Sequence, residues 1–151
     1  MSDPITKQRL KNYIALKMEN DHQLERLARM KSKEQFPAMR EHDESKHTGG
    51  ASDRMANAIL NRMNYEAKII PIIERNIAEM ELIENAVNSL SDPMERELLR
   101  LRYMSGEDCR HMTWPDVAVL MYGADDENAL RSVYRLHGRA LKNINQVRVY
   151  D

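Results

Sequence analysis

Four basic residues near the end of the chain share a spacing that places them on one side of a helix. They stand at i, i+4, i+8 and i+11, and no Asp or Glu occurs between residues 128 and 148; the four are Arg131, Arg135, Arg139 and Lys142. At about 3.6 residues per turn, this spacing makes one cationic face. Such a face can neutralise phosphates and present guanidinium groups to guanine edges. The pattern therefore predicts contact with a nucleic acid.

The position of each side chain along this helix predicts its role. Where a helix enters the major groove of DNA, residues of its first turns meet the bases and later residues meet the backbone. We therefore expect base readout from Arg131, Ser132, Tyr134 and Arg135. Phosphate contacts are expected from Arg139 and Lys142. His137 lies on the same helix and is expected to pack at its edge or to face solvent.

A second interpretation of the same charges is purely structural. A helix near a chain end is often solvated on one face, and cations in its last turns complement the negative end of its own dipole. Charge alone does not separate the two interpretations. The residues in front of the helix favour the first, because they have the layout of a DNA-binding motif.

A shorter helix is expected directly before the cationic one. Thr113 precedes Trp114-Pro115-Asp116, an approximate capping box with Asp in the usual Glu position. Gly123 ends the apolar run that follows, and Asp125 or Asp126 caps the longer helix. The apolar stripe of that helix comprises Leu130, Val133, Leu136, Ala140, Leu141 and Ile144. A short helix, a glycine turn and a longer helix form the layout of a helix-turn-helix.

Another helix is predicted in front of this pair. Ser91-Asp92-Pro93 supplies an N-cap and a proline that suits the first turn. Glu95 and Glu97 suit the positive end of the helix, so both are expected to be helix-start charges. Gly106 is predicted to end the helix in a left-handed cap. The core of this region is expected to include Trp114, packed against Leu101 or Tyr103.

The segment from Ser89 to Asn145 resembles a known family in three runs that occur in the same order. These runs are ERELLRLRY, TWPDVAVLMYG and SVYRLHGRALK. They are similar to the region-four helix-turn-helix of bacterial sigma factors, and closer still to the ArpU/RinA-type phage regulators of late transcription. The resemblance implies a major-groove helix from about Glu127, a helical N-terminal region and activation of phage late genes. The promoter-melting region of sigma factors has no counterpart in this sequence, so we do not expect a complete sigma factor.

The first half of the chain predicts two long helices with an interruption. Apolar residues recur at helical spacing from Ile5 to about Met30, in a thin stripe that needs a partner. Residues 32–52 have no apolar period and are predicted to be a flexible linker. Ser52 or Asp53 is then expected to cap the second helix.

The second long helix contains a candidate seam for pairing with another helix. Ile70, Ile73, Ile77 and Met80 follow the alternating spacing of a coiled coil. Pro71 lies inside this pattern and is expected to kink or break the helix, because it lacks an N–H and clashes one turn back. We expect the two long helices to pair as an antiparallel hairpin or across a dimer.

Composition and motifs argue against several classes of function. No run approaches the ~20 apolar residues of a membrane span. The one cysteine, Cys109, cannot form an internal disulfide, and with His111 it supplies two of the roughly four ligands of a structural zinc site. His42 and His47 lie far away, in the predicted linker. No nucleophile elbow, phosphate-binding loop or catalytic carboxylate pair occurs. We therefore expect no enzyme activity, no cofactor and no metal.

The sequence as a whole predicts an all-α protein of 151 residues. Residues 1–88 are expected to form a coiled-coil-like helical hairpin, and residues 89–151 a sigma-like helix-turn-helix domain. The expected partners are double-stranded DNA, RNA polymerase and a second copy in a homodimer, in the cytoplasm of a bacterial host cell and not at a membrane. Two alternatives stay open, a small-terminase-like DNA-packaging protein and an interaction adaptor with a sigma-like module. A large ring in solution would favour the first alternative, and absence of salt-dependent DNA binding the second.

Overall fold

The computed structural model describes residues 3–35, 50–106 and 110–148. Within these ranges the chain forms α-helices and no strand, which confirms the all-α prediction. The helices are α1 (Lys7–Gln35), α2 (Gly50–Asn88), α3 (Pro93–Tyr103), α4 (Trp114–Tyr122) and α5 (Glu127–Asn145). None of these helices, as far as they are described, combines the length and the apolar character needed to cross a membrane.

The two long helices extend further than the sequence predicted. α1 continues to Gln35 and α2 begins at Gly50, so the predicted linker at 32–52 is helical at both ends. The prediction that Ser52 or Asp53 caps α2 is therefore wrong. The rest of that linker, with His42 and His47, lies outside the described residues.

Pro71 does not break α2, which runs through it without interruption. Pro71 itself is exposed, whereas its neighbours Ile69 and Ile73 are buried in an apolar cluster with Leu27. Burial of these branched side chains holds the helical backbone on both sides of the proline. The free energy gained by this packing offsets the loss of the backbone hydrogen bond that the proline removes.

The chain divides into two compact units, one formed by Met1–Met18 with Asn76–Asp151 and the other by Glu19–Arg75. The sequence had placed a boundary at residues 88/89. In the structure, the start of α1 and the end of α2 belong instead to the unit that contains the three shorter helices.

The first unit has one continuous apolar core. The start of α1 contributes Ile5, Leu10, Tyr13 and Ile14, and the end of α2 contributes Ile83, Ala86 and Val87. These side chains pack with Leu98, Leu99 and Tyr103 of α3, and with buried residues of α4 and α5. An ion pair supports the same contact, because Arg9 Nε donates to Glu79 Oε1 at 2.7 Å. The three short helices are thus built onto the ends of the two long ones.

In the second unit, α1 and α2 pair in antiparallel directions. Tyr65 donates its hydroxyl proton to Gln23, while Arg62 pairs with Glu34 through Nε at 2.9 Å. Lys31 lies 3.7 Å from Glu66, so from Lys31 to Glu34 the partner on α2 goes back by four residues, from Glu66 to Arg62. Leu27 packs between these polar contacts against α2. The hairpin predicted for the N-terminal region is present in this part of the chain.

The four residues of the predicted seam do not form one free surface. Ile73 is only 8% exposed and packs inside the hairpin, and Met80 packs on the core of the first unit. Ile70 and Ile77 are exposed, at 41% and 45%. The expectation of a single coiled-coil seam is therefore wrong, because the alternating spacing covers both a buried face and an exposed one.

Candidate nucleic-acid interface

The elements around the cationic helix begin and end where the sequence predicted. Thr113 is the N-cap of α4, and its side chain accepts a hydrogen bond from Asp116 N at 3.3 Å. Gly123 ends α4 in the left-handed conformation, with φ of 75°. Asp126 then caps α5 by accepting from Ala129 N at 2.9 Å. Three local signals thus set a short helix, a tight turn and a longer helix in sequence.

The end of α3 differs from the prediction for Gly106. The C-cap is Met104, at φ of −123°, and Gly123 alone among the described glycines has a positive φ. Gly106 has a different reason to lack a side chain, since an added Cβ would lie 1.5 Å from the carbonyl oxygen of Arg110. The glycine is required by a close backbone approach and not by a left-handed cap.

α5 has one buried face. The buried side chains are Ala129, Val133, Leu136, His137, Ala140 and Ile144, and Leu130 and Leu141 pack against the core at its edges. These positions are the predicted apolar stripe with Ala129 and His137 added. The opposite face is therefore turned away from the core.

All six side chains predicted to contact DNA are exposed on α5. Arg131 pairs with Glu127 one turn earlier, with Nη2 2.6 Å from Oε1, and both groups are solvent-exposed. The hydroxyl of Ser132 donates to the carbonyl of Asn128 at 3.0 Å. Tyr134 is 51% exposed and meets the edge of Trp114, with 5.6 Å between ring centroids.

Arg139 lies beside two carboxylates at the start of α3, a relationship that the sequence pattern does not predict. Its guanidinium is 3.6 Å from Asp92 Oδ2 and 3.7 Å from Glu95 Oε1, although the side chain remains 65% exposed. Glu95 was predicted only as a helix-start charge. It does lie in the first turn of α3, but the residue is 3% exposed.

The buried carboxylate of Glu95 is satisfied by α5. Asn143 Nδ2 donates to its two oxygens at 2.8 and 3.0 Å. These residues are separated by 48 positions in the chain, so no local pattern identifies the pair. The contact ties the start of α3 to the second half of the cationic helix.

Arg135 and Lys142 differ from the other two cations of the set. Among the residues that the structure describes, neither has a carboxylate within the 4.0 Å that defines an ion pair. Both side chains are exposed. The positive charge of this face is therefore least compensated at these two positions.

His137 lies on the buried side of α5, within an aromatic cluster. Its Nε2 is 2.6 Å from the Tyr103 hydroxyl, and its ring meets Trp114 with centroids 4.6 Å apart. Burial, and then the positive charges of Lys7 and Arg102, lower the pKa of His137 from 6.5 to about 4. Burial also raises the pKa of Tyr103, so both groups are uncharged near neutral pH and share one hydrogen bond.

Trp114 packs on the apolar core that contains Tyr103, and three polar or aromatic side chains surround its ring. The guanidinium of Arg102 lies 4.3 Å above its ring centroid, and His137 and Tyr134 meet it edge-on. The prediction of packing against Leu101 or Tyr103 identified the right helix, because Arg102 lies between those two residues. A stacked cation over an aromatic face stabilises the start of α4.

Other candidate groups do not form a site in the described part of the chain. In residues 3–35, 50–106 and 110–148, no three His, Cys, Asp or Glu side chains come together in a way that could hold a metal ion. Cys109 lies outside these ranges. Comparison of the chain with family models, with curated proteins and with solved structures found no match.

Proposed function

We propose that α4, the turn at Gly123 and α5 act as a helix-turn-helix that binds double-stranded DNA. The observation that carries this proposal is the division of α5 into two faces. One face is fixed in the core by Val133, Leu136 and Ile144, and the opposite one exposes four cations. A helix held in this way presents its charges on a rigid support.

The dimensions of α5 suit the major groove. Its 19 residues give a length of about 28 Å at a rise of 1.5 Å per residue. A helix with its side chains is about 10–12 Å wide, which is close to the roughly 12 Å width of the groove. The exposed face is thus long enough to follow several base pairs.

The roles along α5 follow from position and from existing partners. Arg131 and Arg135 stand in the first half and serve as base readers, with Ser132 and Tyr134 beside them. Arg131 must exchange Glu127 for a base, which is a small barrier because exposed ion pairs contribute about 0–1 kcal/mol. Lys142 is the phosphate contact with no competing acid among the described residues.

Arg139 is a weaker phosphate contact than Lys142 in this proposal. Asp92 and Glu95 already neutralise part of its charge. The same two carboxylates repel an approaching phosphate. DNA contact is therefore concentrated on Arg131, Arg135 and Lys142.

Regulation of transcription is the biological role we propose for this DNA binding. The support is the resemblance of the three sequence runs to the sigma-like modules of phage late regulators. In this proposal the module recognises a promoter-proximal sequence and the protein contacts RNA polymerase. The long helices supply the surface for polymerase or for a second copy.

Binding of fluorescent duplexes to the full chain at several salt concentrations tests the proposal. We expect the logarithm of affinity to fall linearly with the logarithm of salt concentration. Lys142→Ala should weaken binding to all sequences alike and reduce the salt slope by about one unit. Lys17→Ala, at an exposed position on α1, is the matched control and should change neither. Absence of salt-dependent binding would contradict the proposal and favour the adaptor alternative.

A further inference from the structure

Gly138 is a glycine in the interior of α5 that the fold itself does not require. Its φ is not positive, since Gly123 alone among the described glycines has that property. A Cβ built at Gly138 would have no described atom within 4 Å outside its own helix and neighbours. Neither backbone conformation nor internal packing therefore accounts for a glycine at this position.

A glycine inside a helix destabilises it relative to alanine, because it has more conformational freedom to lose on folding. Gly138 stands eleven residues after the start of α5 at Glu127, far from either cap. The chain thus holds a locally unfavourable residue where alanine would fit. An external contact would explain that choice.

The surroundings of Gly138 indicate the nature of that contact. Arg135 stands three residues before it and Lys142 four residues after it, both one turn away on the same exposed face. Arg131 lies seven residues before it, two turns along that face. Gly138 therefore leaves a bare patch of helix backbone bordered by cations.

We propose that Gly138 is the point where a DNA phosphate approaches the backbone of α5 most closely. This inference rests on the DNA-binding function proposed above. Without a Cβ, the helix surface lies lower there than at any alanine, and a phosphate can settle beside Lys142, one turn further along α5. Arg135, one turn earlier, can then reach the base edges of the same strand. Gly138 is in this sense a positioning residue, because its missing side chain sets the distance between the strand and the cations.

The test compares folding and DNA binding in the same full-length variants. Gly138→Ala should raise the thermal unfolding midpoint by a few degrees, since it improves helix propensity. It should also weaken binding to a random-sequence duplex by about tenfold, and Gly138→Leu should weaken it further. Asn85→Ala, at an exposed position in the last turn of α2, is the control and should leave DNA binding unchanged.

A glycine that served only the fold would not give a substitution that raises the unfolding midpoint and lowers DNA affinity at the same time. Unchanged affinity for the random-sequence duplex in Gly138→Ala, with that affinity still lowered in Lys142→Ala, would overturn the inference and leave the proposed function standing. A lowered unfolding midpoint in Gly138→Ala would also overturn it. No binding of the random-sequence duplex by the unmodified protein would contradict the proposed function itself. Weaker binding to poly-glutamate with unchanged DNA binding would assign the patch to an acidic protein partner instead.

Discussion

Glu95 and Asn143 join the first turn of α3 to the second half of α5 through two hydrogen bonds, at 2.8 and 3.0 Å. The carboxylate is buried, so its charge is separated from water and depends on these donors. Arg139 adds a longer-range positive charge at 3.7 Å. The orientation of the cationic helix therefore depends on a residue outside the two-helix motif.

Removing the donor at Asn143 should destabilise the protein. We expect Asn143→Ala to lower the free energy of unfolding by about 1–3 kcal/mol, because a buried carboxylate loses hydrogen bonds. Glu97→Ala, at an exposed position of α3, the helix that contains Glu95, should change it by no more than about 0.5 kcal/mol. Urea unfolding of both variants provides the comparison. Equal effects of the two substitutions would show that the Glu95 contact contributes nothing specific.

Acid should weaken the fold through His137. Its pKa is about 4 in the folded chain and about 6.5 when unfolded, so between these values the unfolded chain binds more protons. The contribution to stability is thus fully present above pH ~6.5 and is lost as pH falls towards ~4, by up to about 3 kcal/mol.

The variant His137→Gln isolates this contribution from that of the carboxyl groups. It should be less stable than the unmodified protein at neutral pH, since Gln cannot fill the aromatic cluster around Trp114 and Tyr103. The gap between the two unfolding free energies should narrow from pH 6.5 to 4. A gap that stays constant over this interval would show that His137 is not held neutral by the fold.

Two isoleucines of α2 should differ in their importance for the hairpin. Ile73→Ala removes a side chain buried against Leu27 and Ile69, so we expect the free energy of unfolding to fall by about 2–4 kcal/mol. Ile70 lies three residues earlier and is exposed, so Ile70→Ala should lower the free energy of unfolding by less than about 1 kcal/mol. Chemical unfolding followed by circular dichroism measures both. Similar losses would mean that the exposed isoleucine is covered in solution, as it would be in a homodimer.

Local signals in the sequence were sufficient to predict much of the C-terminal region. Thr113, Gly123 and Asp126 act through hydrogen bonds and backbone angles within a few residues. The apolar stripe of α5 is likewise a property of one helix. The order and approximate bounds of the last three helices, and the exposure of the cationic face, therefore followed from the sequence.

Contacts between distant residues could not be predicted in this way. Ile5 and Leu10 join the core of the C-terminal helices, but a thin apolar stripe does not say which helix it packs against. The spacing of Ile70 and Ile73 fits two adjacent faces of a helix, and only packing decides which face is buried. For the same reason, the sequence did not predict that carboxylates at the start of α3 lie beside Arg139.

The most direct measurement for the central claim is the DNA affinity of the Arg131→Ala/Arg135→Ala variant. Duplexes enriched by the unmodified protein from a random pool supply the target, and scrambled duplexes supply the comparison. Loss of one base-reading side chain should weaken the free energy of binding to the target duplex by about 1–3 kcal/mol. The double variant should therefore lose most of its preference for target over scrambled DNA. Its stability should change by no more than about 0.5 kcal/mol per substitution, since both side chains are exposed. Full target affinity in a folded double variant would contradict the major-groove account, and loss of folding would show that these arginines are structural.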